Sequence, residues 1–129
     1  MKINNIHHIA INTIDIDDSI RFYQDMLGLE LTQRADMGFC ELVYMKICDN
    51  EYLELFNLKQ NCKTEPVDEN NNGLRHIAFD VENIEQWYES LKSKNAKFID
   101  ELGTIEQIKK KYLLIEDPNK VVIELSEDM

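Results

Sequence analysis

The sequence predicts an α+β fold of two tandem βαβββ modules, whose strands form a curved mixed sheet around a cleft with the helices outside. Three observations predict it. The order strand, helix, then three strands reads twice along the chain; two short motifs recur at matched spacing; and apolar residues alternate in the strand segments but recur every three to four residues in the two helices. His8-Ile9-Ala10-Ile11 is answered by His76-Ile77-Ala78-Phe79, and Leu53-Glu54-Leu55 by Ile123-Glu124-Leu125. His8 and Glu54 stand 46 positions apart, His76 and Glu124 48. One template, duplicated, accounts for both halves. Neither helix can bury its apolar face alone, so both are expected on one side of the sheet.

In chain order, Ile6 to Ile11 reads as the first strand. Asp17 or Asp18 is the expected cap of a helix with Ile20, Tyr23, Met26 and Leu27 on one face, and Gly28 ends it. Three strand-like stretches follow, Leu29 to Ala35, Phe39 to Cys48 and Tyr52 to Leu58, separated by Met37-Gly38 and Asp49-Asn50-Glu51. Residues 59–72 are polar and read as a surface connection, which sets the modules at about 1–58 and 73–129 of a single domain. The second module opens with a strand from Leu74 to Val81 and a helix starting near Asn83, with Ile84, Trp87, Tyr88 and Leu91 along one side. Its last strand, Val121 to Ser126, follows a turn at Asp117-Pro118-Asn119-Lys120, where proline suits the second position.

Composition narrows the function. The 129 residues suffice for one core without a staple, and no apolar run nears the roughly 20 residues of a membrane span. Fourteen basic against twenty-five acidic residues leave a net charge of −11, which repels nucleic-acid backbones. Three cysteines (Cys40, Cys48, Cys62) without CxxC spacing, and no signal pattern at the start, point to a reducing cytoplasm. Cys40 and Cys48 read as small buried hydrophobes. Lys109-Lys110-Lys111 reads as a solvated hairpin rather than an anion site.

Side chains alternate between the faces of a strand. His8, Ala10 and Asn12 therefore oppose Ile9 and Ile11, and the same parity sets His76, Glu54 and Glu124 against their apolar neighbours. His7, by that parity, falls on the helix side and reads as structural or rim-exposed. Two imidazoles and two carboxylates, repeated at one spacing and one parity, would project into a common cleft as a divalent-metal site, with room on an octahedral ion for water or substrate. Leu42, Tyr44 and Lys46, with Phe56, share the cleft face.

These residues resemble the vicinal oxygen chelate superfamily, which includes glyoxalase I, epimerases, extradiol dioxygenases and antibiotic-resistance proteins. The likeness covers nearly the whole chain. It rests on His8 with Asp15, Ser19-Ile20-Arg21-Phe22-Tyr23 and Leu27-Gly28-Leu29, on Gly73-Leu74-Arg75-His76-Ile77-Ala78-Phe79, and on Asp117-Pro118-Asn119 leading to Ile123-Glu124-Leu125. The resemblance implies one divalent metal, Ni or Zn first and Co, Mn or Fe next, at His8, Glu54, His76 and Glu124. It also implies a homodimer. The ligand set is most similar to that of glyoxalase I, although Asn12 stands where bacterial glyoxalases commonly carry a glutathione-binding Arg, and Leu58 where an Asn is usual.

The expected activity is a metal-dependent, glyoxalase-like lyase or isomerase. Glu54 or Glu124 would be the base on a small oxygenated substrate of 2-oxo or thiohemiacetal type, lined by Asn12, Tyr44 and Phe56. A single-domain dioxygenase or thiol transferase of the same superfamily, and a non-catalytic small-molecule binder, are the alternatives.

Overall fold

A computed structural model describes residues 1–58 and 70–129. The chain divides into two units, Met1–Thr64 and Glu65–Met129. Most of the polar connection read at 59–72, together with Cys62, lies outside the described residues.

The first unit runs β1 (His8–Asn12), α1 (Ile16–Leu27), β2 (Glu30–Asp36), β3 (Cys40–Cys48) and β4 (Glu51–Leu58). Its sheet has the order β1-β4-β3-β2, with β1 parallel to β4 and the other pairs antiparallel. The second unit repeats this with β5 (Ile77–Asp80), α2 (Ile84–Ser93), β6 (Phe98–Ile105), β7 (Lys110–Glu116) and β8 (Val122–Asp128), in the order β5-β8-β7-β6. The α+β class and the duplicated βαβββ order are thus present as two four-stranded mixed sheets. The opening strand of each unit is shorter than its apolar pattern suggested, because pairing begins only at His8 and at Ile77.

One face of each sheet is apolar. In the first unit Ile11, Val43, Met45, Leu53 and Leu55 are buried together with Ile16, Ile20, Tyr23 and Leu27 of α1. In the second, Ile77, Leu113, Ile115, Ile123 and Leu125 are buried with Ile84 and Leu91 of α2. Each helix covers the face that its strands' alternation made apolar. Trp87 and Tyr88 are half-buried on the same side of α2 as buried Ile84 and Leu91. Tyr88 donates from its hydroxyl to Glu101 Oε2 (2.8 Å), which draws that end of the ring toward solvent.

The cap of α1 differs from expectation, whereas α2 starts next to Asn83 as expected. The cap of α1 is Asp15, not Asp17 or Asp18: its Oδ1 accepts from the backbone N–H of both those residues at 3.0 Å. Ile16 is only 3% exposed, and drawing it into the core starts the helix early, leaving the two later acids in the first turn, where the helix dipole favours them. Asn83 precedes α2 in the left-handed region (φ 58) and makes no side-chain cap. The cap comes instead from β8, where Glu127 accepts from the N–H groups of Asn83 (2.9 Å) and Ile84 (3.1 Å). Gly28 closes α1 at φ 69, as its position suggested. The turn at Asp117 forms as read, with Lys120 N–H donating to Asp117 O at 3.2 Å.

Candidate functional site

The face of the first sheet turned away from α1 carries the predicted residues. Cross-strand partners share a face, and the registers Ala10 with Glu54, Asn12 with Phe56, Tyr44 with Glu54 and Leu42 with Phe56 place all of them on that side. His8 lies opposite Tyr52, two residues before Glu54, so the imidazole and the carboxylate are diagonal neighbours on adjacent parallel strands. Their Nε2 and Oε2 atoms are 3.8 Å apart. The second unit repeats the arrangement. Ala78 pairs with Glu124, His76 stands two residues before Ala78, and His76 Nε2 lies 2.8 Å from Glu124 Oε2.

The surroundings of the two carboxylates differ. Glu54 is 7% exposed and accepts a hydrogen bond from the Tyr44 hydroxyl. That bond, with burial and the carboxylate's charge adding to it, holds the Tyr44 phenol above its usual value. Across from Glu124 the place of Tyr44 is taken by Leu114, which donates nothing. Tyr52, two positions before Glu54, packs edge-on against Tyr44 with ring centroids 5.6 Å apart. Ser126, two positions after Glu124, is buried, and its Oγ has no hydrogen-bond partner among the described residues. Neither residue was singled out from the sequence, although the parity that selects the two Glu residues also selects them.

Two expectations need correction. The His7 ring is not on the helix side. It is exposed, as a rim residue would be, with its Nδ1 2.8 Å from His8 Nδ1 and its ring near Tyr52 and Tyr44; His7 stands just before β1, its carbonyl bonded to β4 but its side chain not fixed by the core. Cys48 is not buried as Cys40 is. It sits exposed at the end of β3, its thiol donates to Glu51 Oε2 (3.1 Å), and that contact pushes it above the usual thiol range, away from the reactive thiolate. The basic run lies at the β6–β7 connection as the solvated hairpin it reads as, its charges paired at the surface: Lys109 with Glu106, Lys110 with Asp128 and Lys111 with Glu85.

Nitrogen with oxygen is the donor chemistry of a first-row divalent ion. The 2.8 Å between His76 Nε2 and Glu124 Oε2 fits such an ion, since adjacent donors at bond lengths of about 2.1 Å around an octahedron are about 3 Å apart. The His8–Glu54 separation is wider than that edge. Among the described residues, no three His, Cys, Asp or Glu side chains form a metal-binding group, so each unit presents one pair, one nitrogen and one oxygen.

Residues 5–125 match the family described as the Glyoxalase/Bleomycin resistance protein/Dioxygenase superfamily. The chain belongs to this superfamily. Among its curated relatives, a probable lactoylglutathione lyase of Synechocystis is 32% identical over 92% of the chain and 91% of the relative. The metallothiol transferase FosB of Staphylococcus epidermidis is 30% identical over 97% of the chain and 82% of the relative. A glyoxalase family protein from Enterococcus faecalis has a crystal structure that matches this superfamily member with a TM-score of 0.81 and 29% identity, covering 95% of this chain and 97% of that one.

Proposed function

We propose that this protein is a metal-dependent lyase or isomerase of the glyoxalase type, which moves a proton between neighbouring carbons of a small 2-oxo or thiohemiacetal-type substrate. The duplicated pair carries the reading: His8 and Glu54, and His76 and Glu124, hold equivalent positions about the parallel pairs β1–β4 and β5–β8, His76 standing just before β5. Together they would hold one divalent ion, Ni or Zn first and Co, Mn or Fe next. Such an ion, when bound, polarises a carbonyl oxygen and offsets the charge left when the adjacent carbon loses its proton.

The protein's own side chains then divide the work. Glu54 is buried and has a lone pair committed to Tyr44, so it is the fixed carboxylate. Glu124, which has Leu114 rather than a hydroxyl across from it and His76 beside its Oε2, takes the substrate proton and returns it to the next carbon. Asn12 and Phe56, paired across β1 and β4, line the same face for substrate. A homodimer in a reducing cytoplasm belongs to the same proposal.

Elemental analysis of protein purified without an affinity tag tests the metal set. Wild type should carry roughly one ion per chain, and His76→Ala and Glu124→Ala should each lose it. Wild type that neither carries nor takes up any of these ions overturns the reading. Exchange of the substrate carbon's proton with solvent tests the base: Glu124→Gln should slow it by about 10²–10⁴-fold, and Glu54→Gln by less. The likeness to a metallothiol transferase supports a second reading, in which a thiol adds to an electrophile. Thiol consumed in the presence of an electrophile, with no aldehyde present, would favour that reaction.

A further inference from the structure

We infer that His7 is a positioning residue for the metal set, its Nδ1 accepting the Nδ1–H of His8 so that His8 turns a bare Nε2 toward Glu54 and an incoming divalent ion. The inference rests on the metal-binding role proposed above for His8, Glu54, His76 and Glu124. His7 Nδ1 and His8 Nδ1 are 2.8 Å apart. At that distance one ring donates and the other accepts. An imidazole that coordinates through Nε2 carries its proton on Nδ1, and metal-bound histidines almost always donate that second N–H to a fixed partner. Here Nε2 is the His8 atom that lies nearest Glu54 Oε2, at 3.8 Å, and Nδ1 is the atom that meets His7.

The acceptor is itself held. The His7 backbone carbonyl accepts from Tyr52 N–H at 2.9 Å, and the His7 ring centroid lies 5.5 Å from that of Tyr52. The two histidine rings meet edge to face, with centroids 5.1 Å apart and planes at 85°. His7 is therefore tied to β4, the strand that carries Glu54, and His8 is oriented by a group that keeps the carboxylate's own frame. The second unit has Arg75 before His76, and a guanidinium has no acceptor atom, so the residue before His76 cannot play the part of His7.

Calorimetric titration of the intact metal-free protein with Ni²⁺ and with Zn²⁺ tests the inference on wild type, His7→Phe, His7→Asn and His8→Ala. Phenylalanine keeps a ring against Tyr52 and drops the acceptor; asparagine keeps an acceptor near the place of Nδ1. His7→Phe should bind roughly 10–100-fold more weakly than wild type. His7→Asn should recover most of that loss, and His8→Ala should lose more than either. Wild-type affinity in both His7 variants, with binding lost in His8→Ala, overturns the role of His7 and leaves the metal set standing. Equal weakening by phenylalanine and asparagine also overturns it, because the hydrogen bond is then not the cause. No ion taken up by wild type overturns the metal set and this inference together.

Discussion

Tyr44 shows how one cross-strand partner changes a carboxylate's role. Its hydroxyl donates to Glu54, and the phenol is raised by that bond first and by burial second. A phenol raised in the folded state contributes stability that is whole below its unfolded value of about 10 and is lost as pH climbs through the raised folded value. Tyr44→Phe should therefore cost about 1 kcal/mol at neutral pH and flatten the alkaline loss of stability. Urea melts of both proteins at stepped alkaline pH check this, and an unchanged alkaline limb in the variant would remove Tyr44 as its source. Ser126 makes the opposite case. Its buried Oγ lacks a partner among the described residues, so Ser126→Ala should leave the ligand-free protein as stable as wild type or more so, by up to about 1–3 kcal/mol in thermal melts.

The two helices begin by different devices, and each predicts its own loss. Asp15 caps α1 locally, two and three residues from its donors, and Asp15→Ala should cost about 1 kcal/mol. α2 is capped across the sheet by Glu127, so Glu127→Ala should lower stability by about 1–2 kcal/mol although it lies in a strand and leaves the helix sequence untouched. Chemical denaturation of the two variants measures both effects. Gly28 ends α1 with φ 69, and an alanine there meets no neighbour, so the cost of Gly28→Ala is backbone strain alone. Two of these three features follow from local sequence. The Glu127 cap does not, because its donors lie more than forty positions earlier in the chain.

At the scale of the whole molecule, the net charge of −11 is partly answered by local pairs such as Lys97 with Glu116 at 2.6 Å and by the three paired lysines of the basic run. No helix among the described residues is long and apolar enough to cross a membrane. If the two His–Glu pairs hold an ion, binding stabilises the folded chain by about 2.7 kcal/mol when free metal is about 100-fold above Kd. A chelator should then lower the Tm of wild type and leave that of His76→Ala unchanged, as read by calorimetry. A Tm indifferent to chelator and to added metal would argue against an ion shared by the pairs.

The duplication, the α+β class, the element order and the parity of His8, Glu54, His76 and Glu124 were legible in the chain alone. Strand alternation and helical period are properties of backbone geometry, so a residue's face follows from counting, and a repeated count exposes a repeated module. The same counting misplaced His7, whose exposed ring just before β1 is not held by the core, and residue type misjudged Cys48, whose strand end is exposed. It offered both Asp17 and Asp18 as caps, while the burial of Ile16 selected Asp15. The bond from Tyr44 to Glu54, the contact of His7 with His8 and the cap from Glu127 were decided by folding. Each depends on register between strands and on rotamers set by neighbours distant in sequence, and no local periodicity carries that information.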